Sequence, residues 1–442
     1  MVDVRPGEER ATLLACLYFF FTMASYFVLR PIRDEMAVAS GVKSLSWLFA
    51  GTMTAMLLVN PLYGALVVRF PVKRFIAITY QVFALCLVLF YLLWRAGVNP
   101  TWTGRVFFVW TSVFNLFVVS VFWSVMADSF RSAQAKRLFG FIAVGGTLGS
   151  ITGSAITATL VRALGSVNLL LVSMVLLEAA ALLVALLPAP GPGAVRDDDA
   201  AAEADAGPAL RRRAIGGSMW AGITHVMRSP YLTGIAGFLI LYTLGSTVLY
   251  FAQTDIIGAH FASRDARTEA LARIELTVQS VTALTQLFLT GRLIRTIGLP
   301  AALALMPAIS VIGFAALGIS GWGLVPVLGT YVAFNVARRA SNYAVLNPAM
   351  EVLFTVVPRE DKYKAKSFIE TFVYRLGDQL GAWGYAGLAA LGMGLPAISW
   401  VAVPVSMLFL GVGVWLGRRQ VAMAREAGVG VEPVARGVAL SA

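Results

Sequence analysis

The stretch PAPGPGAVRDDDAAAEADAGPALRRRAIGG, residues 188–217, lies near the middle of the chain and decides the fold. It is rich in proline, glycine, alanine and charge, and it carries no apolar stripe at helical spacing. Such a composition is typical of a flexible linker. Long apolar runs lie on both sides of it, so the linker divides the 442 residues into two halves.

The composition outside the linker indicates a membrane protein. Hydrophobic residues make up 58% of the chain and charged residues 13%, with a mean hydropathy of +0.78. Soluble domains contain about 45–50% apolar and about 25% charged residues. Cys16 and Cys86 lie inside apolar runs and there are two histidines, so we predict no disulfide framework, no metal site and no cofactor.

Twelve runs are apolar and long enough to cross a bilayer, which takes about 20 residues each. Six precede the linker and six follow it, so we predict an all-α, major-facilitator-like membrane protein of two six-helix pseudo-repeats. We assign residues 1–188 and 230–420 to the two bundles, 189–229 to a cytoplasmic linker and 421–442 to a cytoplasmic tail. The predicted spans are 11–29, 45–68, 75–94, 104–127, 138–161, 167–188, 231–254, 270–290, 299–319, 322–346, 367–392 and 396–417.

Two further features of the chain support this architecture. Similar glycine, arginine and proline patterns follow the second span of each half, NPLYGALVVRFPVKR at 60–74 and LTGRLIRTIGLP at 289–300, which indicates an internal repeat. Most lysines and arginines fall in alternate loops, which places both termini in the cytoplasm. This bias accounts for the net charge of +12 without nucleic acid. We expect a monomer, surrounded by lipid, in a bacterial inner membrane.

The segment YFVLRPIRDEMA, residues 26–37, places four charges directly after the first apolar run. If the helix continues past Leu29, Arg30 and Arg33 share a face with Tyr26. Two guanidinium groups on that face could bind a phosphate or carboxylate. Asp34 and Glu35 are then candidates for proton coupling. The alternative is that the four charged residues form a solvated loop.

The eleventh span contains ionisable residues within an apolar run. Arg375 and Asp378 are three residues apart and can pair on one face, and Glu370, Tyr374 and Asp378 form a stripe at four-residue spacing. Charge inside a span is expensive and usually functional. We predict Tyr374 and Arg375 as substrate-binding residues, and Glu370 and Asp378 as proton carriers. The alternative is a structural ion pair between Arg375 and Asp378.

The tenth and fourth spans add three substrate-binding candidates, Arg338, Asn342 and Asn115. Arg338 and the adjacent Arg339 could instead lie at the cytoplasmic membrane interface. Asn115 could instead be an interhelical hydrogen-bond partner. The glycine-rich stretch GFIAVGGTLGS, residues 140–150, lies in a span and lacks the lysine of a phosphate-binding loop, so we interpret its glycines as sites of close helix packing.

Three segments resemble the ATP/ADP translocase family, the nucleotide transporters of plastids and intracellular bacteria. They are YFVLRPIRDEMAVA, FWSVMADSFRSAQAKRLFGFIAVGGTLGS at 122–150, and SNYAVLNPAMEVLFTVVPREDKYKAKSFIETFVYRLGDQLG at 341–381. The likeness extends over most of the chain and implies a divergent bacterial member of that family. It implies the fold and a transport function.

The resemblance also shows departures at four charged positions of the family's exchangers. The first-helix lysine corresponds to Arg33, which keeps the charge. The two glutamates correspond to positions at or near Thr111 and Phe251, and the final lysine to Asp378. One charge is therefore kept, two are lost and one is reversed, so strict ATP/ADP exchange is not implied.

These observations predict a secondary transporter that works by alternating access on an anionic solute, with a nucleotide or another phosphorylated metabolite as the expected substrate class and a proton as a possible coupling ion. One alternative is a proton-driven exporter of an amphipathic or drug-like compound. A second is a non-transporting sensor or scaffold. No catalytic constellation at motif spacing favours an enzyme.

Overall fold

A computed structural model describes residues 5, 7–69, 72–130, 132–187, 226–227, 229–288, 290–357, 365–366 and 368–426. The predicted linker lies almost entirely outside this part of the chain, as does the tail beyond residue 426. Within the described residues the chain forms twelve helices and no strand. They are α1 (Glu9–Ser40), α2 (Val42–Arg69), α3 (Val72–Arg95), α4 (Pro100–Ser129), α5 (Ser132–Leu164), α6 (Leu169–Leu186), α7 (Pro230–His260), α8 (Arg264–Phe288), α9 (Thr290–Ser320), α10 (Val327–Ser341, Asn342–Leu346 and Asn347–Leu353), α11 (Ile369–Val373 and Tyr374–Ala390) and α12 (Leu395–Glu426).

The twelve helices confirm the predicted fold class. Among the described residues, nine are long and apolar enough to cross a membrane by length and composition. The other three are α8, α10 and α11. Two of these three, α10 and α11, carry predicted site residues. A helix whose polar side chains face protein is less apolar than one surrounded by lipid.

Helix α1 is longer than its predicted span. It continues through the buried Pro31 to Ser40, so the charged residues after Leu29 are helical. This outcome excludes the solvated-loop alternative for 30–35. At 1.5 Å per residue, the 32 residues of α1 extend for about 48 Å, whereas the hydrocarbon core of a bilayer is about 30 Å thick.

Two helices contain π-helical turns, at Asn342–Leu346 in α10 and at Ile369–Val373 in α11. A π turn inserts an extra residue into the α-helical register. The stripe predicted for Glu370, Tyr374 and Asp378 assumed an unbroken α-helix, so Glu370 does not continue it. The side chain of Glu370 is 53% exposed and pairs with Lys366 at 3.6 Å.

The contacts between residues divide the chain into two compact units. The first comprises Met1–Ser40, Ala50–Gly216 and Phe261–Leu276, and the second comprises Gly41–Phe49, Gly217–His260 and Thr277–Ala442. Each unit has its own apolar core. The first turns of α2 therefore belong to the second unit and those of α8 to the first. The domain boundaries at 188 and 230 stay predictions.

The same pattern of helix pairs occurs within each of the two units. In the first unit α1 contacts α4, α5 and α6, α3 contacts α4 and α6, and α5 contacts α6. Each of these six pairs recurs six helices later, among α7, α9, α10, α11 and α12. The repeated pairing agrees with the internal repeat that the glycine, arginine and proline patterns predicted.

The α1–α5 pair depends on small residues. Gly145, Gly149 and Gly153 share one face of α5 at four-residue spacing, and a Cβ atom on any of them would lie less than 3.0 Å from the α1 backbone. In the corresponding pair, α7 and α11, the contact is made at Gly377 and Gly381. A Cβ atom on either glycine would meet the side chain of a threonine on α7. Small residues let helix backbones approach closely, as predicted for the glycines of 140–150.

Candidate functional site

The structure brings the predicted site residues together in two groups. One lies at the end of α1 in the first unit, and we call it the α1–α8 ion cluster: Arg30, Arg33, Asp34, Glu35, Arg264, Arg267 and Glu275. The other lies in the second unit, and we call it the α10–α11 polar cluster: Tyr242, Ser246, Ser310, Asn335, Arg338, Asn342, Tyr374, Arg375 and Asp378.

In the ion cluster, both predicted guanidinium groups have carboxylate neighbours. Arg30 Nη1 lies 3.3 Å from Glu275 Oε1, and Arg33 donates from Nε and Nη2 to Asp34 Oδ1 at 3.0 and 2.7 Å. The two side chains are 19% and 16% exposed, so neither extends into bulk solvent. Arg33 also stacks over the Phe108 ring. Their positive charge is therefore partly balanced within the protein.

Glu35 is the most buried charge of the ion cluster, with a side chain 1% exposed. Arg267 donates to its Oε1 from Nε and Nη2 at 3.2 and 2.7 Å, and Arg264 Nε lies 3.4 Å from its Oε2. A buried carboxylate is tolerated when it is paired in this way. The two α8 arginines were assigned to a loop by sequence and were missed as partners of Glu35.

A second ion network joins the first turns of α8 to α5. Glu269 is shared by Arg162 and by Arg273, the latter at 2.7 Å. Asp265 Oδ1 accepts from the backbone N of Ser166 at 3.0 Å. These contacts explain why the start of α8 belongs to the first unit. The dense charge of the sequence RDARTEALARIE is the feature from which this ion network could have been predicted.

Two other predicted residues of the first unit take no part in these ion pairs. Tyr26 is buried in the apolar core and packs edge-on against Phe27. Asn115 is half-buried on α4 and makes no hydrogen bond to another described residue. Their proposed contact with a substrate stays a prediction.

In the polar cluster, Arg338 is buried within the protein, at 3% exposure, and the alternative of a position at the cytoplasmic membrane interface stays a prediction. Its Nε donates to Ser310 Oγ, Nη1 and Nη2 donate to Ser246 Oγ, and Nη2 also donates to Tyr242 O, all at 3.1 Å. The guanidinium also lies over the Tyr242 ring at 5.6 Å. No carboxylate among the described residues pairs with it.

The rest of the polar face of α10 is buried and incompletely hydrogen-bonded. Tyr331 Oη donates to Gln253 Oε1 at 2.5 Å, and Asn335 Nδ2 donates to Tyr331 Oη. Asn335 Oδ1 and Asn342 Oδ1 are buried and accept no hydrogen bond from a described residue. Asn335, Arg338 and Asn342 follow an i, i+3, i+7 pattern and therefore share one face of the helix. Asn335 was noted in the sequence but was not chosen as a site residue.

On α11, the predicted pairing of Arg375 with Asp378 is confirmed. Arg375 Nη1 donates to Asp378 Oδ2 at 3.3 Å, with the two side chains 34% and 14% exposed. The Tyr374 ring lies 6.2 Å from that of Tyr242 and brings α11 beside the Arg338 site. Among the described residues no three histidine, cysteine or carboxylate side chains form a group that could hold a metal ion.

Repeated apolar helix bundles with charged residues buried inside them define an integral membrane transporter of the two-bundle type. The chain belongs to the Major Facilitator Superfamily, whose family model matches residues 12–377. It is therefore a multi-pass membrane protein of a family whose transporters bind small molecules and often couple to protons.

Two curated relatives are similar to this chain, and so are many solved structures, three of which are described below. "ADP,ATP carrier protein 2" of Chlamydia pneumoniae is 24% identical over 46% of this chain and 41% of its own length, and the protein of that name from Chlamydia trachomatis serovar D is 28% identical over 45% and 40%. The chain thus matches about two fifths of the length of these relatives.

The similar solved structures are each 15% identical and show the fold alone. They are a D-xylose–proton symporter (TM-score 0.62, covering 94% of this chain and 97% of that one), the nucleoside transporter NupG (0.60, 95% and 99%) and a bacterial homolog of the human lysosomal transporter Spinster (0.58, 96% and 98%).

Proposed function

We propose that this chain is a secondary transporter that carries an anionic organic solute, a nucleotide or another phosphorylated metabolite, by alternating access. The observation that carries the proposal is Arg338, a buried guanidinium whose hydrogen bonds to Ser310, Ser246 and Tyr242 all end on neutral oxygens. The transporter would lie in a bacterial inner membrane with both termini cytoplasmic and would act as a monomer.

Electrostatics favours an anion at Arg338. Desolvating one charge without a partner has an effective penalty of several kcal/mol, and hydroxyl and carbonyl dipoles offset only part of it. An arginine retained under that penalty inside a membrane bundle is best explained by a ligand that supplies the missing negative charge. Arg375 is already paired with Asp378, so Arg338 provides the unbalanced charge of this cluster.

The hydrogen-bonding groups beside Arg338 restrict the substrate further. The buried amide oxygens of Asn335 and Asn342 can accept from O–H or N–H groups, which nucleosides and sugars carry. Tyr242 and Tyr374 offer ring faces on which a base or sugar can pack. The names of the relatives, ADP,ATP carriers and a nucleoside transporter, agree with this chemistry.

This sequence lacks charged residues that the exchangers of the ATP/ADP translocase family carry. Their loss limits the charge that the substrate can have. By the resemblance, the family's two glutamates correspond to positions at or near Thr111 and Phe251 and its last lysine to Asp378, while Arg33 is paired with its neighbour Asp34. A site with one unbalanced guanidinium is suited to one phosphoryl or carboxylate group. A nucleoside triphosphate, with about four negative charges, is therefore not the substrate we propose.

The decisive variant is Arg338→Gln, measured by thermal unfolding of purified protein with a panel of nucleoside monophosphates, sugar phosphates and dicarboxylates. A ligand that binds the folded state raises the melting temperature by mass action. We expect stabilisation of the wild-type chain by a phosphorylated compound and none in the variant. Because the substitution removes a buried unpaired charge, the variant without ligand should melt at the same or a higher temperature.

The matched control is Arg339→Gln, on the adjacent, half-buried arginine, which should keep the ligand response. The proposal is wrong if no anion in the panel stabilises the wild-type protein. It is also wrong if Arg338→Gln lowers the melting temperature by many degrees and keeps the ligand response, because Arg338 would then be structural.

One observation favours a second candidate, export of an amphipathic cation. A cavity of about 710 Å³ in the second unit is lined mainly by apolar residues of α7, α10 and α12, with Asp255 as its carboxylate. Tyr385 Oη donates to Asp255 Oδ2 at 2.7 Å. Hydrophobic cations added to the panel test this candidate: stabilisation by such a cation, abolished by Asp255→Asn, would support it over the first.

A further inference from the structure

The hydrogen bonds of Arg338 occupy both edges through which a guanidinium group can hold an anion. Nη1 and Nη2 form the end-on edge, and both donate to a single oxygen, Ser246 Oγ, at 3.1 Å. Nε and Nη2 form the side edge, and they donate to Ser310 Oγ and Tyr242 O, also at 3.1 Å. A carboxylate or phosphoryl group binds arginine bidentately through two N–H groups of one edge. Such a group therefore reaches Arg338 in this way only by displacing one of these oxygens.

The two serine hydroxyls present only lone pairs to the guanidinium. Ser246 Oγ donates its proton to Tyr242 O at 2.9 Å, and Ser310 Oγ donates its proton to Met306 O at 3.0 Å. A hydroxyl has one proton and two lone pairs, so in both serines the proton is bound by the backbone and the oxygen accepts from Arg338. Each hydroxyl oxygen thus acts on the guanidinium as a pure acceptor, which is the role that an anionic oxygen would take.

The side edge of Arg338 is the more firmly held of the two edges. One of its acceptors, Tyr242 O, belongs to the backbone of α7 and cannot rotate away. The other acceptor, Ser310 on α9, is 1% exposed. Protein interiors are closely packed, so a ligand has no room beside a side chain buried to this degree.

The end-on edge is held by one side chain on a more open face of the site. Ser246 is half-buried, and so is Tyr242, whose ring lies 5.6 Å from the guanidinium of Arg338. A serine side chain can turn to another staggered rotamer without movement of the helix backbone. Both the burial and the mobility of the acceptors therefore favour entry of a ligand at the end-on edge.

We propose that Ser246 Oγ occupies the position of a substrate oxygen and that the phosphoryl group of the substrate displaces it from the end-on edge of Arg338. Ser310 and Tyr242 O keep the side edge with and without substrate, and they position the guanidinium. This inference rests on the proposed function and names the residue that competes with the substrate. Because the bonds to Ser246 stabilise only the protein without substrate, they lower the affinity for it.

The variant that tests this role is Ser246→Ala. The protein without substrate then loses the acceptor on the end-on edge, whereas the complex with substrate loses no contact to Arg338. Since hydrogen bonds to charged groups are among the stronger ones, the variant should bind a phosphorylated ligand about tenfold more tightly or better. The measurement is equilibrium binding of radiolabelled adenosine monophosphate, glucose 6-phosphate and inorganic phosphate to the purified full-length protein.

The matched control is Ser310→Ala, which removes the same kind of acceptor from the other edge of the same guanidinium. Ser310 bonds to Nε in both states, so its loss should leave the affinity unchanged or weaken it. Ser246→Thr keeps a hydroxyl that can bond the same backbone oxygen and should bind as the wild type does. Thermal unfolding without ligand shows whether each variant is folded. If Ser246→Ala does not fold, Ser246→Cys carries the same prediction, because a thiol is a weak acceptor.

Tighter binding by Ser246→Ala, absent from Ser310→Ala and Ser246→Thr, supports the proposal. Unchanged or weaker binding by Ser246→Ala overturns it, and so does equal tightening in all three variants. In those cases the loss of binding in Arg338→Gln would still support the proposed function. If none of the three compounds binds either the wild-type protein or Ser246→Ala, the proposed function and this inference are both wrong.

Discussion

The contact between α1 and α5 makes a quantitative prediction for Gly149→Ala. A Cβ atom on Gly149 would lie 2.9 Å from the carbonyl carbon of Phe20 and closer still to its oxygen, whereas ordinary contacts begin at 3.4 Å. The neighbour is backbone and cannot rotate away. The two helices would therefore have to separate by half an ångström or more along the whole seam.

The expected energies follow from two opposing effects of the added methyl group. Forcing an extra carbon into a closely packed contact costs typically about 1–3 kcal/mol. Replacing glycine by alanine within a helix gains about 1 kcal/mol. We therefore expect Gly149→Ala to lower the free energy of unfolding by up to about 2 kcal/mol.

Gly140→Ala is the matched control on the same helix. A Cβ atom there would meet nothing within 4 Å, so only the gain in helix propensity remains. The assay is thermal unfolding of the purified proteins in one detergent, supported by the yield of monodisperse protein. We expect Gly149→Ala to melt below the wild type and Gly140→Ala at or above it. Equal melting temperatures for the two variants would refute the close-packing explanation.

Three further predictions concern the charged residues. Glu35→Gln should lower the free energy of unfolding by about 3–5 kcal/mol, because it leaves two arginines without their buried carboxylate; an unchanged melting temperature would show that the pairing contributes nothing. Asp378→Asn should flatten the pH dependence of substrate uptake into proteoliposomes, and an unaltered pH profile would indicate a structural ion pair. Glu8 lies outside the membrane-spanning helices, and a hydrogen bond from Gln134 lowers its pKa below the ordinary value of 4.5. Its contribution to stability is therefore present above about pH 4.5 and is lost as the pH falls through its lowered pKa; Glu8→Gln should remove that acid-dependent loss, which thermal unfolding between pH 3 and 6 measures.

Features that depend on neighbouring residues in the sequence could be predicted. Apolar run length located the helices, and the three-residue spacing of Arg375 and Asp378 predicted their ion pair. The glycine spacing in 140–150 predicted close packing of α5. In each case the helical period alone determines which side chains share a face.

Features that depend on tertiary contact could not be predicted. The sequence does not distinguish Arg338 from Arg339, because a difference of one position rotates a side chain by about 100° and only the packing of α7 and α9 decides which is buried. Arg264 and Arg267 lie in a predicted loop, and nothing near them in sequence indicates a carboxylate in the first helix. The π turn at Ile369–Val373 also has no sequence signal and moved Glu370 out of the predicted stripe.

The partnership between Glu35 and Arg267 has a consequence for biogenesis, because 232 positions separate the two residues. A ribosome adds about 5–20 residues each second, so roughly 10–50 s pass between the synthesis of the carboxylate and that of its cation. During this interval α1 can enter the bilayer, but Glu35 has neither arginine beside it. The nascent carboxylate must stay hydrated, or hold a proton, until α8 leaves the translocon. Completion of the first unit therefore has to wait for translation of the second half of the chain.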